Sequence, residues 1–175
     1  MTARVANGGY AVEPRLTRSR SESDAQTQSG ASSEGGSTAP PAGPAHMGIS
    51  TASLAVVREG MNRVSNHERG TAYRARIKKK GFELAGKTGT SQVRRITRAE
   101  RQNRVRKNEE KDWIERDHAL FVAFAPVSSP RYAISVLIEH GGSGSGAAAP
   151  VARDIMLETL TRDPSRQNKP PPEPK

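Results

Sequence analysis

One lysine, two threonines and a glycine stand side by side in the stretch ELAGKTGTSQVRR, which runs from Glu83 to Arg95. An ammonium group and two hydroxyls can hold a carboxylate or a phosphate, and a glycine lets another backbone come close. The stretch lies in the most basic part of the chain. Three kinds of site are therefore open: a phosphate loop, a nucleic-acid contact, or one side of an acyl-transfer site.

The sequence matches the pattern of a phosphate loop in residue spacing but not in its surroundings. Gly81 stands five residues before Gly86, Lys87 and Thr88, which is the Walker A spacing. Such a loop follows a buried apolar strand and opens a helix, whereas ARIKKK precedes this one and GTSQV follows it without a helical pattern. No apolar strand ending in Asp follows as a Walker B partner. This context argues against a nucleotide site.

A basic segment supports the second interpretation. Between Arg74 and Lys107 there are 13 Lys or Arg and two acids, a local balance of +11 in a chain of net charge +10. Such a segment could bind nucleic acid or another anionic surface. The nearby aromatics Tyr73, Phe82 and Trp113 do not form a regular stacking platform. A basic binding module therefore stays open as the alternative function.

The third interpretation is a serine acyl-transfer site, in which Lys-Thr-Gly lies on an edge strand beside the nucleophile. The ammonium and the hydroxyl hold the substrate carboxylate, the glycine permits backbone approach, and the next backbone N–H faces the oxyanion. This site requires two further antiparallel strands and a packing helix after the motif. The sequence from Phe82 to Thr161 has that order.

The two strands are HALFVAFAPV, from His118, and RYAISVLIEH, from Arg131. They are apolar at most positions and joined by SSP, which predicts an antiparallel hairpin covered on both faces. GGSGSG then predicts a flexible turn, and Pro150 the first turn of a helix. The residues predicted to pack that helix on the sheet are Val151, Ile155, Met156 and Leu160.

Three more elements are predicted elsewhere. MTARVANGG predicts a helix end closed by Gly8 and Gly9, and YAVEPRL predicts an extended segment. Ser50 or Thr51 is placed to cap a helix. Its predicted apolar face consists of Leu54, Val57, Met61 and Val64. The run RRITRAERQNRVRK predicts a solvated loop or short helix, with one side formed by Arg94, Arg98, Arg101 and Arg104.

Composition divides the chain into four parts. Residues 18–46 contain no Val, Ile, Leu, Phe, Tyr or Trp, and the tail 163–175 ends in NKPPPEPK, so both are predicted to be disordered. Residues 1–17 and 47–162 remain as the folded parts.

The absence of cysteine excludes disulfides and thiolate sites, and four scattered histidines predict no metal site. Apolar runs are too short for a membrane span, and MTARVANGGY lacks a signal-peptide pattern.

Seven blocks give the chain a family resemblance: MTARVANGGYAVEPRL, LAVVREGMNRV, GTAYRARI, LAGKTGTSQVRRIT, RDHALFVAFAP, RYAISVLIEHGG and APVARDIML. Together they resemble the C-terminal part of the transpeptidase domain of the penicillin-binding protein 2 family, elongation-specific D,D-transpeptidases of peptidoglycan synthesis. The resemblance implies an α/β, more narrowly α+β, fold like that of serine β-lactamases and D,D-peptidases. The chain would form only part of that fold, namely an antiparallel sheet with packing helices.

By position, the resemblance implies that Lys87, Thr88 and Gly89 are the substrate- and β-lactam-binding motif. Thr90 would also contact the substrate carboxylate and give the oxyanion hole its backbone N–H. The implied ligands are a D-Ala-D-Ala stem peptide and β-lactams, with no cofactor and no metal. The parent proteins work with membrane proteins of the elongation complex and carry a periplasmic catalytic domain on the inner membrane. No nucleic acid is expected.

The family's other two motifs are missing. The sequence contains neither Ser-x-x-Lys, which supplies nucleophile and base, nor Ser-x-Asn or Ser-Asp-Asn. The resemblance therefore implies a fragment, without signal or anchor, that is inactive alone. Without its covering helices, such a fragment would expose apolar surface on Phe121–Phe124 and Ile134–Ile138 and aggregate.

Overall fold

The computed structural model describes residues 1–12 and 44–163. In chain order, these residues form α1 (Thr2–Ala6), α2 (Thr51–Asn66), β1 (Ala85–Ser91), α3 (Arg98–Gln102), β2 (His118–Ala125), β3 (Tyr132–Ile138) and α4 (Ala149–Arg162). Short 3-10 turns occupy Tyr73–Ala75, Asn108–Glu110 and Trp113–Glu115, and a π-helical turn occupies Gly144–Ala148. Most of the segment 18–46 and nearly all of the tail, both predicted to be disordered, lie outside the described residues.

The strands form one antiparallel sheet in the order β1-β2-β3. Thr88 of β1 lies opposite Phe121 of β2, which in turn lies opposite Val136 of β3. The predicted hairpin and the predicted motif strand are therefore confirmed. The fold is the incomplete α+β arrangement expected from the sequence.

One face of β2 is buried along its length, and the other is half-buried except at Phe124. Phe121 belongs to a cluster that includes Met156 and Leu160 of α4. Phe124 points to the other face, where Ala6 of α1 is buried and Met61 of α2 packs against the cluster. Phe121 and Phe124 are both fully buried. The expectation that they would be exposed was wrong, because described helices cover both residues.

Coverage fails on one side of β3. Its residues alternate between half-buried and exposed, and Leu137 is 57% exposed. Helix α1 packs on the same face of the sheet, but it has only five residues and lies at the end near Phe124 and Ala133. It therefore does not cover Leu137. The prediction of a sheet covered on both faces is therefore correct for one face and for the Phe124 end of the other, and wrong for the exposed side of β3.

The buried faces of the two long helices match the prediction in part: on α2, Leu54 is buried, and Met61 and Val64 pack against the core as predicted. The inner side of α2 carries Leu54, Arg58 and Ser65, whereas Val57 is exposed. Arg58 reaches inward to the Phe124 ring, with 5.9 Å between its guanidinium carbon and the ring centre. The spacing of Leu54, Arg58 and Ser65 follows one helical face, so polar residues occupy positions that an apolar count passes over.

Small residues set the register of α4. Ala149 and Ala152 are fully buried alongside Met156 and Leu160, while Val151 and Ile155 are exposed. Alanine lets the helix approach the sheet closely, so the buried face is not the one with the largest apolar side chains. The predicted packing of Val151 and Ile155 was wrong; that of Met156 and Leu160 is confirmed.

Helix α1 ends as predicted, at two glycines with positive φ: 88° for Gly8 and 96° for Gly9. Tyr10 forms an isolated antiparallel bridge with His46, and the Met47 N–H donates to the Gly9 carbonyl at 2.8 Å. A Cβ on Gly9 would lie 2.7 Å from the His46 ring. The chain therefore leaves and re-enters the described fold at neighbouring points; of the predicted extended segment, the part after Val12 lies outside the described residues.

Candidate active site

The motif strand β1 lies at one edge of the three-stranded sheet. Lys87 and Thr90 are exposed, and Thr88 and Gly89 are half-buried. Strand alternation puts Thr88 and Thr90 on one face and Lys87 on the other. The Lys87 ammonium donates to the Thr88 carbonyl at 2.6 Å. The four predicted site residues are thus together on an accessible edge strand.

Gly86 allows this strand to pack closely against the core. A Cβ at Gly86 would lie 2.3 Å from the tip of the Phe121 ring. Because Phe121 is fully buried, its ring has no free space into which to move. The glycine therefore lets β1 lie directly against the aromatic core, one residue before the motif.

Thr71 is a further candidate site residue, which was not predicted from the sequence. Its hydroxyl oxygen lies 3.3 Å from that of Thr88. The turn that carries it is held by a 3.0 Å bond from the Ala72 N–H to the Val64 carbonyl, and by Gly70, where a Cβ would lie 2.3 Å from two carbonyl oxygens of α2. The Gly-Thr pair in GTAYRARI, a hydroxyl beside an obligatory glycine, was the available signal.

A π-helical turn packs on the backbone of the motif strand. A Cβ on Gly144 would lie 2.5 Å from the Gly89 carbonyl oxygen and 2.4 Å from that of Leu120. The Ser143 hydroxyl accepts the Gly146 N–H at 3.2 Å and so caps the turn. Of the stretch Gly141–Gly146, which was predicted to be a flexible turn, the last three residues belong to this π-helical turn. The missing side chain that permits this approach is that of Gly144, since a Cβ on Gly89 would meet Leu120 at 3.3 Å and not the π-helical turn.

A buried polar cluster holds this π turn from behind. The Lys111 ammonium lies 3.3 and 3.4 Å from the Asp117 carboxylate oxygens and 3.2 Å from the Asn108 side-chain oxygen. The Asn108 amide donates to the Gly142 carbonyl at 3.1 Å, and the Gly142 N–H donates to the Asp117 carbonyl at 2.8 Å. Because Gly142 stands two residues before Gly144, the cluster positions the turn that rests on Gly89.

Part of the basic segment is neutralised in space. Arg104 pairs with Glu110, and Arg106 pairs with Glu115 at 2.8 Å. Both acids lie beyond Lys107, so a charge count along the sequence missed them. Only residues 98–102 are helical, so the predicted face of four arginines does not form.

Glu100 is the most strongly perturbed carboxylate of this connection. The Arg94 guanidinium donates to its two oxygens at 2.6 and 3.0 Å, and the Thr97 N–H donates at 3.0 Å. These bonds, the Arg94 pair first, lower the pKa of Glu100 to about 2. Thr97 and Glu100 also form a capping box at the start of α3.

Other kinds of site have little support among the described residues. In the two ranges that the structure covers, no three His, Asp or Glu side chains cluster as metal ligands would. None of the helices in those ranges is long and apolar enough to cross a membrane. Three shallow concavities of the described surface are lined by other residues than Lys87–Thr90.

Comparison with known proteins places these features in a family. Residues 1–157 match the model of the penicillin binding protein transpeptidase domain. The sequence is 42% identical over 88 residues to the peptidoglycan D,D-transpeptidase MrdA of Acinetobacter baumannii, covering 49% of this chain and 12% of that protein. It is 32% identical over 124 residues to the Escherichia coli K12 MrdA, covering 71% and 18%.

Solved structures agree. Pseudomonas aeruginosa PBP2 in complex with WCK 5153 matches with a TM-score of 0.60 and 31% identity, over 91% of this chain and 28% of that chain. Helicobacter pylori PBP2, in a complex with MreC, matches with a TM-score of 0.52 and 32% identity, over 64% and 18%. These relatives give no support to the nucleic-acid alternative.

An antiparallel sheet with Lys-Thr-Gly-Thr on its edge strand, matched over residues 1–157, defines the class: the chain belongs to the penicillin-binding protein transpeptidase family. Within that family it is similar to the transpeptidase region of PBP2, the peptidoglycan D,D-transpeptidase MrdA. The chain spans between 12% and 18% of the lengths of the MrdA proteins from A. baumannii and E. coli.

Proposed function

We propose that this chain supplies the substrate-binding strand of a peptidoglycan D,D-transpeptidase. The observation that carries the proposal is the Lys87–Thr90 motif on an accessible edge strand, in a chain of this family. Thr88 binds the terminal carboxylate of a D-Ala-D-Ala stem peptide or the carboxylate of a β-lactam, and Lys87 reaches the same group from the other face around the open edge of β1, where its ammonium already lies at the Thr88 carbonyl. A cation and a hydroxyl together give the charge-assisted hydrogen bonds that favour such a ligand.

Thr90 has two roles in this proposal: its hydroxyl contacts the same carboxylate and its backbone N–H stabilises the oxyanion. Donors aimed at developing charge are the largest single contribution to many acyl transfers. In the structure, the Lys87 ammonium donates one hydrogen bond to the Thr88 carbonyl, and its two other N–H groups remain to bind the substrate carboxylate. No step assigned to these residues uses a metal or a cofactor.

The reaction itself needs residues that the sequence does not contain. Acyl transfer requires a serine that forms an ester with the donor peptide and a lysine that activates it, before an amine of a second stem takes the acyl group. The sequence has no Ser-x-x-Lys. The 175-residue chain therefore binds and positions, and does not attack.

Context and organisation are part of the proposal. Residues 1–12 and 47–162 act as one folded unit; the remainder of the predicted first part, 13–17, lies outside the described residues. The relative from H. pylori was solved with MreC, and a similar elongation-complex protein is the proposed partner of the whole protein from which this region derives. The site of action would be the periplasmic side of the inner membrane.

Labelling with a fluorescent penicillin tests the division of roles. After incubation and a denaturing gel, we expect no covalent band from this chain, and a strong band from the P. aeruginosa relative run beside it. A band from this chain that disappears with excess unlabelled penicillin would show a nucleophile that the sequence does not reveal, and would overturn this part of the proposal.

A further inference from the structure

Three arginines of the connection between β1 and β2 differ from their neighbours. Arg95, Arg98 and Arg101 are exposed, and no hydrogen bond or ion pair joins their guanidinium groups to another described residue. Together with Ile96 and Thr97, they line one concavity of the surface. The arginines on either side, Arg94 and Arg104, are both paired with acids.

Two acids of the same connection, Glu100 and Glu110, already pair with other groups, and Glu109 forms no ion pair with the three arginines. The Glu100 carboxylate accepts two bonds from Arg94 and two more from the N–H and hydroxyl of Thr97. Glu110 is held by Arg104, and by the Lys107 N–H at 2.9 Å. The concavity therefore keeps three uncompensated positive charges, although acids lie close by in the sequence.

The scaffold under the arginines is fixed. The capping box between Thr97 and Glu100 sets the start of α3, and the Arg94 pair ties that helix to the end of the motif segment. Arg98 and Arg101, three residues apart on a helix, project from the same side. Arg95 precedes the cap by two residues, so all three cations lie around one short, braced turn.

We propose that this concavity binds a phosphate group. A guanidinium presents a planar fork that pairs with two oxygens at once, so three forks offer more donors than a carboxylate has oxygens to satisfy. A phosphate offers three or more acceptor oxygens and a charge of up to two. The inference is independent of the transpeptidase function, because none of its residues belongs to the motif strand.

The phosphate could be part of a soluble compound or of a lipid headgroup, and the site chemistry is the same for both. Arg95 stands four residues after Ser91, so its Cα lies within about 15 Å of the Cα at the end of the motif strand. A ligand held there would be a near neighbour of a substrate on β1.

The test uses the full 175-residue chain with two probes: pyrophosphate in calorimetry, and sedimentation with vesicles of phosphatidylglycerol and phosphatidylcholine. The variant is R95Q/R98Q/R101Q. The matched control, R74Q/K78Q/K80Q, removes three exposed cations that have no acidic partner in the described chain. Site binding predicts a loss of about tenfold or more for the first triple, and less than about threefold for the control.

Pyrophosphate binding without vesicle binding would indicate a soluble phosphate ligand, and vesicle binding that pyrophosphate competes away would indicate a lipid headgroup; either result supports the site. Three results would overturn the proposal. They are equal losses of affinity in both triple variants, binding of oligoglutamate as tight as that of pyrophosphate, and no saturable binding of either probe. If the first triple does not fold, Arg98→Lys decides: it keeps the charge and loses the fork, so unchanged affinity would contradict the proposal.

Discussion

The hydroxyl oxygens of Thr71 and Thr88 lie 3.3 Å apart, and they join the turn after α2 to the motif strand. Thr71→Val removes one hydroxyl at nearly constant shape. Because both hydroxyls are reachable by water, the free energy of unfolding should fall by only about 0.5 kcal/mol. The free energy of unfolding of Thr71→Ser should lie within about 0.3 kcal/mol of that of the unsubstituted chain. Urea unfolding checks both, and a serine variant as weak as the valine variant would show that the hydroxyl pair is not the cause.

Gly86→Ala should be strongly destabilising. Its Cβ would lie 2.3 Å from the buried Phe121 ring, and overpacking of this kind costs about 1–3 kcal/mol. Gly60, inside α2, is the matched control because no atom lies within 4 Å of its would-be Cβ. Gly60→Ala should stabilise the chain by about 0.5–1 kcal/mol. Equal effects of the two alanines in thermal unfolding would rule out the Phe121 contact as the cause.

Lys111→Met should cost about 3–5 kcal/mol, because it leaves the buried Asp117 carboxylate without its cation. Adding Asp117→Leu to that variant should restore part of the loss, since the uncompensated charge disappears. The surface pair Arg153–Asp154 gives the control: Asp154→Asn should change stability by less than about 1 kcal/mol. A loss for Lys111→Met no larger than this control would place the Lys111 ammonium in water.

The Glu100 contacts predict a response to acid. The pKa of Glu100 in the folded chain, about 2, lies below the ordinary value of 4.5. The ionised carboxylate therefore makes its full contribution to the stability of the folded state above pH 4.5. That contribution is lost as the pH falls from 4.5 towards 2. Carbon NMR of the Glu100 carboxyl should show a midpoint near 2 in the parent chain, and a higher one in Arg94→Gln. An unchanged midpoint in that variant would mean that Arg94 is not the main cause.

The sequence predicted the strands well because their signals are local. Apolar runs bounded by SSP and GGSGSG locate β2 and β3, and the family motif locates β1. Helix faces were harder to predict. The inward positions of α2 include Arg58 and Ser65, and those of α4 include two alanines, so an apolar count selected Val57, Val151 and Ile155, which are exposed.

The surroundings of the motif depend on contacts between distant residues. Nothing local to Thr71 shows that it meets Thr88, and nothing in a glycine-rich turn shows that Gly144 rests on Gly89. The basic segment was misjudged for the same reason, because Glu110 and Glu115 return to arginines earlier in the chain. The motif residues could be predicted; the elements that hold them in place could not.

The central claim, that Lys87–Thr90 is the substrate-carboxylate site, is tested most directly by an amide NMR titration of the chain with a D-alanyl-D-alanine peptide. We expect saturable shifts at Gly89 and Thr90 that are lost in Thr88→Val and retained in Gly60→Ala. Shifts of equal size in Thr88→Val, or shifts confined to residues outside β1, would contradict it.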